Sequence, residues 1–131
     1  DYIPGAETVL QALSGEYRLY IATNGTAAVQ HRRIRDAGMG KYLSGLFISE
    51  EIGYKKPDGE FFRACFAQIP DFSPDEAVMV GDSLTSDIRG GRNGGIRTVW
   101  YNPAGAGCTP EERPDYEIRQ LSELAPLLRT I

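Results

Sequence analysis

Short apolar runs alternate with amphipathic stretches along this chain, and the alternation predicts strands joined by helices. Pro4-Gly5-Ala6-Glu7 is a helix start, with Pro in the first turn and an acid at its positive end. Val9, Leu10 and Leu13 line one face of that helix, and Gly15 stops it. Residues 17–23 (YRLYIAT) are rich in aromatic and β-branched side chains and predict a buried strand, broken by Asn24-Gly25. A helix over 26–37 follows, with Val29, Ile34 and Ala37 inward and Gln30, Arg32, Arg33 and Asp36 outward. Residues 46–49 predict a second strand and 50–57 a polar loop. The next helix opens at Asp58 or Gly59 and carries Phe62, Cys65, Phe66 and Ile69 on one face. Residues 77–81 (AVMVG), apolar throughout, predict a strand covered on both sides. A short helix over 86–92, a strand over 98–101, a Pro/Gly-rich loop over 102–115, a marginal strand over 116–118 and a helix over 121–129 complete the chain.

Strands separated by helices, at spacings too long for hairpins, argue for crossovers and a parallel sheet. The 131 residues fit one domain, 1–131, with no linker that divides it. A hydrophobic share of 41% against 24% charged residues excludes a disordered chain. The net charge of −4 argues against non-specific binding to nucleic acid or a membrane surface. No apolar run approaches the ~18 residues that span a bilayer. Two cysteines are too few for a disulfide framework, so a reduced, cytoplasmic compartment is expected.

In a parallel α/β sheet, ligands bind beyond the carboxyl ends of the strands. The first strand is followed by Thr23-Asn24-Gly25 and the third by Gly81-Asp82-Ser83-Leu84-Thr85-Ser86-Asp87; Gly53-Tyr54-Lys55-Lys56-Pro57 lies between them. One edge would thus gather a hydroxyl, an ammonium and two carboxylates. Hydroxyls and backbone N–H groups bind phosphate oxygens. A lysine neutralises reorganising phosphoryl charge, and carboxylates hold Mg²⁺. Singly, each piece has an ordinary structural reading: turn, surface lysine, cap. In this order, with VMVGDSLTSD intact, they point to phosphoryl chemistry.

These motifs resemble the haloacid dehalogenase-like hydrolases from Pro4 to about Leu128: IATNG (Thr23), YKKPDGEFF (Lys56) and VGDSLTSD (Asp82, Asp87). The resemblance implies a Rossmann-like three-layer α/β/α fold with a parallel sheet. It assigns phosphate binding to Thr23, with help from the backbone of Asn24 and Gly25, and gives Lys56 the nucleophile and phosphoryl group to stabilise. Asp82 would ligate Mg²⁺, and Asp87 would support the metal directly, through water or through Lys56. Gly81-Asp82 resembles the Mg²⁺ phosphatases rather than the metal-free dehalogenases, and the blocks together are most similar to the pyrimidine 5′-nucleotidase branch. The implied partner is a small phosphomonoester. Phosphoglycolate and sugar phosphates stay open as substrates.

The chain also departs from that pattern. Asp-x-Asp-x-Thr, which supplies the family's nucleophile on the central strand, is absent from these 131 residues, and so is the cap domain. The expectation is a carboxyl-terminal piece of a longer hydrolase, inactive alone. The alternative is a catalytically dead phosphate-binding or interaction module. The strand ending at Thr23 and the strand ending at Asp82 would flank a gap. That gap is expected to be filled by a strand outside these residues, closed by rearrangement, or filled by a second copy through strand exchange in a homodimer.

Overall fold

The computed structural model describes residues 5–131, so Pro4 of the expected first helix start lies outside the described residues. Among the described residues, five strands alternate with helices, in the order α1 (Ala6–Leu13), β1 (Tyr20–Thr23), α2 (Ala27–Ala37), β2 (Gly45–Ile48), α3 (Ser49–Ile52), α4 (Gly59–Phe66), β3 (Val78–Gly81), α5 (Arg89–Asn93), β4 (Arg97–Tyr101), β5 (Tyr116–Ile118) and α6 (Leu124–Leu128). The strands form two sheets rather than one: β1 pairs with β2, and β3–β4–β5 form the other. All the pairings are parallel, with Thr23 opposite Ile48 and Gly81 opposite Trp100 at the strand ends. Between β1 and β3 runs a cleft of about 640 Å³, lined by Tyr20, Ile21 and Ala22 on one side and Val78, Met79 and Val80 on the other. The expected gap is therefore present, and it is not closed by direct pairing of its two flanks.

Side-chain alternation along the strands builds a core on each face of the sheets. Leu13 of α1, Val99, Ile118 and Leu124 of α6 form one, with Val78 and Val80 packed against it. Phe47, Phe61, Phe62 and Cys65 form the other, joined by Tyr20, Ala22 and Met79. Helices thus cover both faces, which gives the three-layer α/β/α arrangement expected. Asp58 caps α4 by accepting a hydrogen bond from Glu60 N at 2.8 Å. α5 packs close to α4 and to the sheet because it carries glycines: a Cβ on Gly90 would fall 2.5 Å from Phe62 Cε2, and one on Gly91 2.7 Å from Thr98 Cγ2.

Three local expectations are corrected. Val29 points outward at 37% exposure, and Gln30 is turned inward, its amide donating to the carbonyl of Asn24 at 3.4 Å. The polar stretch 50–57 is not all loop, because Ser49–Ile52 makes a helical turn. The helix expected over 86–92 begins earlier, as a π-helical turn over Leu84–Ile88 that runs into α5. The long loop after β4 is held by polar contacts. Asn102, 4% exposed, bonds Ala106 and Glu117, Asp115 accepts from Thr98, and Arg92 donates to the carbonyls of Glu111 and Arg113.

Candidate active site

β1 and β3 run out at the same end of the cleft, and Lys56 shows it: its Nζ donates to the carbonyl of Ala22 at 2.9 Å and to Asp87 Oδ1 at 2.6 Å. Both side chains of this ion pair are 10% exposed. Asp87 Oδ2 accepts the backbone N–H of Ser83 at 3.2 Å, so both of its carboxylate oxygens have partners. Asp87 can come this near β3 because Gly81 has no side chain. A Cβ there would lie 2.3 Å from both Cβ and Oδ2 of Asp87. The turn that carries Asp87 is capped by Ser83, whose Oγ accepts from Ser86 N at 3.2 Å.

Asp82 stands one residue past β3, exposed, and lines the cleft with Lys56 and Asp87. Its carbonyl accepts the indole N–H of Trp100 at 3.1 Å, and Trp100 is 4% exposed. The backbone of Asp82 is therefore anchored to β4, while the residue remains exposed.

After β1, the chain turns through Thr23, Asn24 and Gly25. Thr23 Oγ1 donates to the Asn24 carbonyl at 3.3 Å. The Gly25 N–H donates to Ser49 Oγ at 2.9 Å. Gly25 has φ 145°, a backbone conformation that other residues adopt only with strain. The Asn24 side chain is bonded at both ends to the backbone of Lys56. The structure thus brings Lys56, Asp82 and Asp87 to one mouth and ties the Thr23-Asn24-Gly25 turn to it through Asn24.

Four contributors escape a reading of the sequence: the Ala22 carbonyl, Ser49, Ser83 and Trp100. Ser83 lies inside the quoted motif and carries the signal of a cap residue. The other three act through backbone or tertiary contacts that no local pattern encodes. His31 is a surface residue paired with Glu51 at 3.0 Å, and Cys65 belongs to the core.

Known proteins are similar to this chain in sequence and in fold. The family model of the haloacid dehalogenase-like hydrolases matches residues 2–95. The chain belongs to that family. YfnB of Bacillus subtilis (strain 168) is 42% identical over 126 residues, covering 96% of this chain and 54% of that protein. The crystal structure of YfnB bound to magnesium superposes with a TM-score of 0.94 over 96% of this chain and 55% of that one. The pyrimidine 5′-nucleotidase PynA of Streptococcus pneumoniae (strain ATCC BAA-255 / R6) is 40% identical over 127 residues, again covering 96% of this chain and 54% of that protein. The chain spans about half the length of these relatives.

A divalent cation is implied by the family, and the donors present fit one. Mg²⁺ takes oxygen ligands, keeps several waters and is usually bound through one or two carboxylates plus substrate oxygens. Asp82 offers an exposed carboxylate at the cleft mouth, whereas Asp87 is committed to Lys56 and Ser83. No group of three or more acidic, histidine or cysteine side chains suited to a metal occurs among the described residues. Such a donor set would suit a water-rich ion, with Asp82 as the side chain that could hold it in part.

Proposed function

We propose that the protein carrying this chain is a Mg²⁺-dependent phosphomonoester hydrolase, and that nucleoside monophosphates are its substrates. The observation that carries the reading is the Lys56 ammonium, fixed by Ala22 and Asp87 at the mouth where the exposed Asp82 stands. Thr23, with the backbone of Asn24 and Gly25, forms the phosphoryl-binding turn, its hydroxyl and the Gly25 N–H exchanging their present partners, Asn24 O and Ser49 Oγ, for phosphoryl oxygens. Lys56 supplies positive charge as those oxygens reorganise, which costs no rearrangement because the ammonium is already held in place. Asp87 keeps Lys56 oriented, and Asp82 contributes a ligand to Mg²⁺, which when bound adds charge stabilisation at the transferring group. Covalent attack belongs to an aspartate of the Asp-x-Asp kind, passing through an aspartyl-phosphate. These 131 residues hold no such pair and by themselves are expected to release no phosphate. The two free thiols suit a reducing, cytoplasmic setting.

The nucleotide choice rests on the similarity to the 5′-nucleotidase relative and on the motif blocks. A screen of phosphomonoesters with the full-length protein in Mg²⁺ tests both parts. Preferred release from a nucleoside monophosphate is the expected result. Preference for phosphoglycolate or a sugar phosphate overturns the substrate, and release from none overturns the hydrolase.

A further inference from the structure

We propose that the Asn24 side chain is a positioning residue for Lys56, and that its amide acts on the reaction only through that lysine. The geometry is reciprocal: Asn24 Oδ1 accepts the Lys56 N–H at 2.9 Å, and Asn24 Nδ2 donates to the Lys56 carbonyl at 3.2 Å. A primary amide offers an acceptor oxygen and two N–H donors, and this orientation satisfies a backbone donor and a backbone acceptor of one residue together. Asn24 thus meets Lys56 as a neighbouring strand would, across 32 residues of sequence. Beside this clamp, Asn93 donates to the carbonyl of Pro57 at 2.8 Å and holds the next residue to α5. The stretch 53–57 lies between α3 and α4, outside both sheets.

The rest of Lys56 shows why its base must be fixed. Its ammonium reaches into the cleft mouth to meet Ala22 O and Asp87 Oδ1, with the side chain 10% exposed. A flexible four-carbon stem ending on two fixed acceptors is well directed only if its Cα is fixed too. Ala22 is two residues before Asn24, so the same turn that receives the ammonium also clamps the backbone that delivers it. Asn24 Oδ1 and one of the two Nδ2 hydrogens are committed to Lys56, which assigns the amide to the lysine rather than to phosphate. Asn24 then differs from Thr23, whose hydroxyl is assigned to phosphate.

The role rests on the phosphatase reading, so the test separates the two. The full-length protein is prepared as wild type, Asn24→Ala, Lys56→Met and the double variant, each checked for folding by thermal denaturation. Lys56→Met keeps most of the length of the stem and removes its charge. With Lys56 in place, Asn24→Ala is expected to lower kcat about 10- to 100-fold while KM stays within about twofold. Added to Lys56→Met, the same substitution is expected to change nothing further, since a residue acting only through its partner shows complete coupling. An equal fall in both backgrounds, a rise in KM that persists in both, or no fall at all overturns the proposal. If the wild type hydrolyses no phosphomonoester, the functional reading fails and the inference is read from the ¹⁵N-labelled ammonium of Lys56. A slowly exchanging signal in the wild type that is lost in Asn24→Ala supports the clamp, and an unchanged signal overturns it.

Discussion

Lys56 Nζ and Asp87 Oδ1 stand 2.6 Å apart, with each side chain only 10% exposed. Two charges so far out of water have lost hydration, and their mutual attraction and hydrogen bonds must offset that cost. Removing one leaves the other buried and unpaired, which costs about 3–5 kcal/mol. Lys56→Ala is therefore expected to lose stability as well as turnover, read by urea denaturation beside a phosphate-release assay. Replacing both partners with apolar residues, as in Lys56→Met with Asp87→Leu, should recover most of the stability and none of the activity. A Lys56→Ala protein as stable as wild type would show that the pair is wetter than its geometry implies.

Asp82 makes the opposite case. Its side chain is exposed, and only its carbonyl is used by the fold. Asp82→Asn should leave stability within about 0.5 kcal/mol and lower turnover by about 10²–10³, the scale of a lost electrostatic contact at the reacting group. Mg²⁺ titration of the variant should show weakened binding. Turnover within a few-fold of wild type would remove Asp82 from the site.

Gly81→Ala tests how tightly β3 and the turn behind it are joined. The added methyl would arrive 2.3 Å from Asp87 Cβ, an atom fixed to backbone and unable to swing aside. Overpacking of this kind costs about 1–3 kcal/mol. Because the displaced residue is the partner of Lys56, activity should fall along with the melting temperature. A crystal structure of the variant with Asp87 unmoved would refute the argument.

The two cysteines should react at very different rates. Cys65 is 3% exposed, and burial pushes its thiol up to about 12. Cys108 is exposed. The thiolate is the nucleophile, so iodoacetamide at mildly alkaline pH should label Cys108 in the native protein and reach Cys65 only after unfolding, as peptide mass spectrometry would record. The same shift has a pH consequence. Below the ordinary thiol range both states keep the proton and nothing is lost. Above it the unfolded state gives up its proton first, so the contribution of Cys65 to stability declines as pH rises towards about 12.

How much of this is legible in the sequence differs element by element. β3 is readable because AVMVG is apolar on both faces and ends in glycine, and the structure covers both faces of its sheet. α3 is not, because four residues carry no periodicity. Its Ser49 and Glu50 serve other segments, donating to or accepting from Gly25 and Ala27. Val29 reads as inward by its side chain alone, but α2 buries none of its residues fully, so no apolar stripe has to be filled. Asp87 can be named from its motif. Its commitment to Lys56 and Ser83 depends on the absent Cβ of Gly81 and on a π-helical turn, neither of which has a sequence period. The division into two sheets, with β1 and β3 unpaired to each other, is set by tertiary pairing that no local pattern carries.

The indole of Trp100, bonded to the carbonyl of Asp82, gives the protein an optical use. It is the only tryptophan in the 131 residues, and it is buried against the backbone of the residue assigned to the cation. Indole emission responds to the hydrogen bond its N–H makes and to nearby charge. The fluorescence of this chain therefore watches one end of one strand, and a cation or phosphate arriving at Asp82 should be visible in the spectrum of the unlabelled chain.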